Sequence, residues 1–150
     1  MKTIVIDFLY LDLTTCERCM GTGKLVEEVV KDLDILLSPS NYSFHLNKIK
    51  MDSIDLAMRY HFLSSPTIRV NGIDVLGEIK ENVCVTCGEV CGDETLCRVF
   101  MYNGKAYNEP PRGMLVEGIL KAIFNNHKSS DQQRYDMPGN IMNFIHKTSK

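Results

Sequence analysis

The sequence predicts an α/β sandwich built on a mixed four-stranded sheet, in the order β-α-β-α-β-β-α. Three observations carry that prediction. An apolar β-forming run is followed by a long helical period and a second β-run, the signature of a right-handed βαβ crossover. An Asn-Gly pair later joins two short β-runs into an antiparallel hairpin. A strongly periodic helical stretch follows the hairpin. At 150 residues the chain is the size of one domain.

Residues 3–10, Thr-Ile-Val-Ile-Asp-Phe-Leu-Tyr, read as a strand buried on both faces. From Leu25 the period becomes helical, with Leu25, Val29, Leu33 and Leu36 on one stripe and Val26, Val30 and Leu37 beside it. Gly21 and Gly23 weaken the first turns of that helix, so either a later start or a weak one is expected. Ser38-Pro39-Ser40-Asn41 stops it, and residues 42–51 form a second strand. Asp52 or Ser53 caps a short helix with Ile54, Met58 and Phe62 on one side. Ser64-Ser65-Pro66 breaks it, and Thr67-Ile68-Arg69-Val70 is a third strand closed by Asn71-Gly72.

Residues 73–97 show no regular period and form a cysteine-rich insert. Connections of that length usually carry function or disorder, and the crowding of cysteines argues against disorder. Arg98-Val99-Phe100-Met101-Tyr102 then turns at Asn103-Gly104 into Lys105-Ala106-Tyr107. Pro110-Pro111 introduces the last main helix, with Leu115, Ile119 and Ile123 on one stripe. The expected organisation is a domain over residues 1–127, with its insert at about 73–97, and a linker and C-terminal tail over 128–150. The tail has one amphipathic turn through Ile141, Phe144 and Ile145.

Composition narrows the function. The net charge is −2, with no basic surplus to attract nucleic acid or an anionic membrane. No apolar run reaches the ~20 residues of a membrane helix, and Asp7 and Asp12 break the first apolar stretch before it can act as a signal. A cytoplasmic protein is expected. There is no Gly-rich phosphate loop, no Ser-His-Asp pattern and no pair of catalytic carboxylates. His45, His61, His127 and His146 have no ligand spacing to one another. His61, five residues before Pro66, reads as an exposed helix-end histidine, with tuning of the site as the alternative.

The six cysteines are the informative feature. Cys16 and Cys19 form a C-x-x-C between a buried strand and a helix. A helix N-terminus favours the thiolate, the form that attacks disulfides, and Arg18 adds positive charge. Cys16 is then the nucleophile and Cys19 the resolving thiol. The alternative is half of a zinc site. Cys84, Cys87, Cys91 and Cys97 form a second set within a 14-residue segment (84–97). Four thiolates suit one tetrahedral zinc ion, further disulfides that pass electrons to the first pair, or a softer thiophilic metal. They match no common iron–sulfur ligand run well.

Strand, C-x-x-C, helix, strand, helix and then Ser65-Pro66-Thr67-Ile68-Arg69-Val70 together resemble the thioredoxin superfamily. The chain is also similar to a small prokaryotic thioredoxin-like family of unknown function with a cysteine-rich insert. The resemblance implies a thioredoxin-like three-layer sandwich and a cis peptide bond before Pro66. It implies that Ser65, Pro66 and Thr67 contact the substrate. It further implies a protein or small-molecule disulfide as substrate, a reductase as electron donor and no organic cofactor. Departures are the absence of tryptophan and Glu17-Arg18 between the cysteines. Asp7 is the counterpart of the buried thioredoxin aspartate, at a longer spacing from Cys16 than the family uses. The competing reading is a cysteine-rich metal-binding protein.

Overall fold

The computed structural model describes residues 2–11, 17–77, 79–83, 96–125 and 135–148. Strand β1 (Lys2–Tyr10) leads to helix α1 (Glu17–Leu37), which returns the chain through a short 3-10 turn to β2 (Tyr42–Lys50). β1 and β2 pair in parallel over their full length, from Lys2↔Tyr42 to Tyr10↔Lys50. Helix α2 (Ile54–Arg59) precedes β3 (Thr67–Val70), which lies antiparallel on the other side of β1 with Phe8 opposite Ile68. β4 (Ile73–Asp74) folds back on β3 and completes a mixed four-stranded sheet in the order β2-β1-β3-β4.

The fourth strand is not the one that the sequence predicts. Asn71 and Gly72 both take positive φ, 49° and 87°, and make a two-residue hairpin turn rather than a strand end. The Asn103-Gly104 hairpin forms as expected between β6 (Leu96–Tyr102) and β7 (Lys105–Tyr107). It pairs with β5 (Lys80–Val83) in a separate three-stranded sheet, β5-β6-β7. The stretch 73–97 therefore contains strands where periodicity alone showed none.

Alternation along β1 divides the interior in two. Ile4, Ile6 and Phe8 face a core shared with Val26, Val29, Val30 and Leu33 of α1 and with Met114, Leu115 and Ile119 of α3 (Arg112–Phe124). Phe100 of β6 joins this core. Leu9 and Leu11 face a second core with Met51, Ala57 and Phe62 and with Ile141, Phe144 and Ile145 of α4 (Gly139–Thr148). Helices thus cover both faces of the sheet, and the tail forms a ten-residue helix rather than a single turn.

Three local expectations are corrected. Helix α1 begins at Glu17 and runs through both glycines. Its apolar stripe ends at Leu33, since Leu36 is 70% exposed. Helix α2 is capped by Ser53, whose Oγ accepts from the Leu56 N–H at 3.1 Å. However, Met58 is exposed and the buried helical residue is Ala57. The helix stops at Arg59, so the helical period does not extend to Phe62. That ring is buried by a turn in which His61 takes φ 49°.

Candidate functional site

The turn from Ser64 to Thr67 is buried throughout. Its Ser65–Pro66 peptide bond is cis, as the family resemblance implies. Two long-range bonds converge on Ser65. Its Oγ accepts from the Leu11 N–H at 3.1 Å, just past the end of β1. Its carbonyl accepts from the Arg98 N–H at 2.9 Å, in β6. Ser64 Oγ donates to Glu81 Oε2 at 2.8 Å, in β5. Thr67 Oγ1 donates back to the Ser64 carbonyl and closes the turn. The turn is therefore fixed between the segment that leads toward Cys16 and the sheet that carries Cys97.

The cysteine positions are defined only in part. Cys16, Cys84, Cys87 and Cys91 lie outside the described residues. Cys19 is in the first turn of α1 and Cys97 is in β6 opposite Asn82, but their side chains also lie outside the description. The ends of the 84–95 segment are held together by the Val83↔Leu96 pair. Among the described residues no group of three or more His, Cys, Asp or Glu could hold a metal ion.

Sequence reasoning missed a polar centre beside this turn. Arg98 has a fully buried side chain. Its Nη1 donates to Asp74 Oδ2 at 2.9 Å and to Thr67 Oγ1 at 3.3 Å. Its Nη2 donates to Asp74 Oδ1 at 3.3 Å and to the Gly77 carbonyl at 2.9 Å. The guanidinium lies 5.8 Å from the Phe100 ring centre, and its Nε has no partner among the described residues. A buried guanidinium needs such pairing, because an uncompensated charge in the interior is costly. One signal was available: Arg98 is two residues from Phe100, so strand alternation puts both on one face.

The remaining polar candidates serve the frame. Asp7 is half-buried, accepts from Asn47 Nδ2 at 3.0 Å and stands in register with Arg69. Arg69 donates to the carbonyls of Tyr60 and His61 beyond the end of α2. Burial lowers its pKa, against the opposing pull of Asp74 and Asp7. His61 is exposed and stacks on Tyr135 at 5.0 Å between ring centres. His45 and His146 are exposed, and His127 lies outside the described residues.

Gly21 has a local reason. A Cβ there would lie 1.7 Å from Glu109 Oε1, so the Glu109 carboxylate rests directly on the second turn of α1. Arg112 pairs with Glu28 and Asp32 further along the same helix. These contacts join the start of α3 to α1.

Comparison with known proteins gives a family and little else. The model of the family described as a domain of unknown function, DUF2703, matches residues 4–119, and the chain belongs to that family. Among curated proteins, one of the A-type ATP synthase subunits from Hyperthermus butylicus is 28% identical over 68 residues. That match covers 43% of this chain, which spans 11% of the length of the relative. No solved structure gives a significant match.

Proposed function

We propose that this member of the family is a thiol–disulfide oxidoreductase of thioredoxin-like type, with Cys16 as nucleophile and Cys19 as resolving thiol. The observation that supports this most directly is the bond from the Leu11 N–H to Ser65 Oγ. It ties the Ser65-Pro66 turn to the end of the strand that precedes the cysteine pair, across 54 positions of sequence. The sheet order, with α1 following β1 and the turn entering a strand antiparallel to β1, is compatible with that fold.

In the proposed reaction the Cys16 thiolate attacks one sulfur of a substrate disulfide and displaces the other as a thiolate, which takes up a proton. The Cys19 thiolate then attacks the Cys16 sulfur of the mixed disulfide and releases the second substrate thiol. The substrate gains two electrons and the cysteine pair ends as a disulfide. A partner reductase returns the electrons. Ser65, Pro66 and Thr67 line the bound substrate, and no organic cofactor takes part. No helix among the described residues is long and apolar enough to cross a membrane. We place the reaction in the cytoplasm, without nucleic acid or membrane as partner.

The test is reduction of insulin disulfides by the full chain with dithiothreitol as reductant. Catalysis is expected from the native chain and not from Cys16→Ser. Cys19→Ser should accumulate a mixed disulfide, visible as added mass. No turnover by the native chain would remove the proposal.

A second reading rests on the Val83↔Leu96 pair, which closes the segment carrying Cys84, Cys87 and Cys91 next to Cys97. Those four thiolates fit a structural zinc ion, which would order a segment with few apolar residues. Elemental analysis separates the two readings: a zinc content that Cys16→Ser leaves unchanged assigns the metal to the second set alone.

A further inference from the structure

Between α1 and the open edge of β2 the core stops short. Tyr42, Phe44 and Leu46 share one face of β2 and pack against the main core. The next residue of that parity is Lys48, whose Nζ pairs with Glu27 of α1. Opposite it, α1 contributes Met20, Gly21, Gly23 and Lys24. The result is an open groove of about 410 Å³ lined by Met20, Gly21, Gly23, Lys24, Glu27 and Lys48. That volume is in the range of small-molecule sites. The groove lies toward the C-terminal end of the parallel β1–β2 pair, where α/β sheets usually take ligands. It starts at Met20, the residue after Cys19.

The lining is selective. Glu27 pairs with Lys48, and Lys24 is the lining charge that is in no ion pair among the described residues. The positive end of α1 adds to it. Met20, 37% exposed, offers an apolar, polarizable wall. We infer that this groove binds one half of a small carboxylate-bearing disulfide, with its carboxylate at Lys24, its methylenes along Met20 and the glycine backbone, and its sulfur toward the first turn of α1. This inference rests on the oxidoreductase reading and names the substrate class for it. The chemistry is the exchange given above: one anionic disulfide becomes two thiols as the cysteine pair becomes a disulfide. A dithiol reductant then restores the pair.

The experiment uses the pre-reduced full chain and single-turnover thiol release from three probes: anionic dithiodipropionate, cationic cystamine and neutral hydroxyethyl disulfide. Lys24→Glu should lower the ratio of dithiodipropionate to cystamine rates by about two- to fivefold, the scale of one exposed charge contact. Added salt should shrink the contrast. Lys105→Glu, an equal charge change on β7 away from the groove, should leave the ratio alone. Release from hydroxyethyl disulfide with a ratio that Lys24→Glu does not move would overturn the groove assignment and keep the redox reading. No release from any probe would overturn both.

Discussion

Arg98 and Asp74 form a two-pronged ion pair that joins the two sheets, with the arginine side chain fully buried and the aspartate 29% exposed. Asp74 belongs to the last strand of the four-stranded sheet, and Arg98 to the strand that carries Cys97. Breaking such a pair from one side leaves an uncompensated buried charge, which costs about 3–5 kcal/mol. Asp74→Ala should approach the lower end, since water reaches the site from the aspartate side. Replacing both partners with apolar residues should restore part of the loss. Denaturant unfolding of the two single variants and the double variant checks this, and equal stability of Asp74→Ala and the native chain would contradict it.

Ser65→Ala removes the acceptor of the buried Leu11 N–H. An unsatisfied buried donor costs about 1–3 kcal/mol. The expected result is a lower unfolding midpoint with an unchanged denaturant slope. If the oxidoreductase proposal holds, disulfide reduction should also slow under conditions where the variant is fully folded.

Two glycines in helices should respond to alanine with opposite signs. A Cβ on Gly118 would lie 2.4 Å from the Val75 carbonyl oxygen, which is backbone and cannot move aside alone. Gly118→Ala should therefore destabilise the fold by about 1–3 kcal/mol, as overpacking does. At Gly21 the obstacle is the far end of the exposed Glu109 side chain, which can swing away. Gly21→Ala should thus gain up to about 1 kcal/mol from helix propensity. Thermal midpoints of the two variants give the comparison.

Tyr135 donates its hydroxyl to the Phe62 carbonyl at 2.8 Å. Burial raises the pKa of its phenol above the ordinary 10, with Arg69 pulling the other way. A folded value above the unfolded one means that the contribution is present below about pH 10 and is lost as pH rises through the folded value. The ultraviolet titration of the native chain minus that of Tyr135→Phe should show this phenol ionising above the ordinary range. A midpoint at or below 10 would count against the burial of this phenol.

Helix α4 buries Ile141, Phe144 and Ile145 against Leu9, Leu11, Met51 and Phe62. Each such side chain contributes about 1.5–3 kcal/mol by burial. Truncation after residue 134 should remove about 5 kcal/mol or more, a large share of a typical domain's stability of about 5–15 kcal/mol. Circular dichroism melts and binding of a hydrophobic dye report the loss; an unchanged melt would show that the tail is dispensable.

Much of the local signal agrees with the structure, although the start and stripe of α1 and the buried face of α2 do not. The parallel pair of β1 and β2, the capped start of α2, the turn at Asn103-Gly104 and the apolar stripe of the tail all follow from period and turn chemistry within a few residues. The C-x-x-C spacing and the Ser65-Pro66-Thr67 segment are equally plain, and they alone suggest where to look for function. Tertiary structure decided that Ile73–Asp74 is the fourth strand, because two residues have no period and gain strand identity only from the partner they pair with. It decided that Arg98 is buried, because an arginine reads as surface until Asp74, Thr67 and Gly77 are brought around it from at least 21 positions away. It also decided that the space between Met20 and Lys48 stays open, since its two walls, α1 and β2, meet only after the crossover has folded.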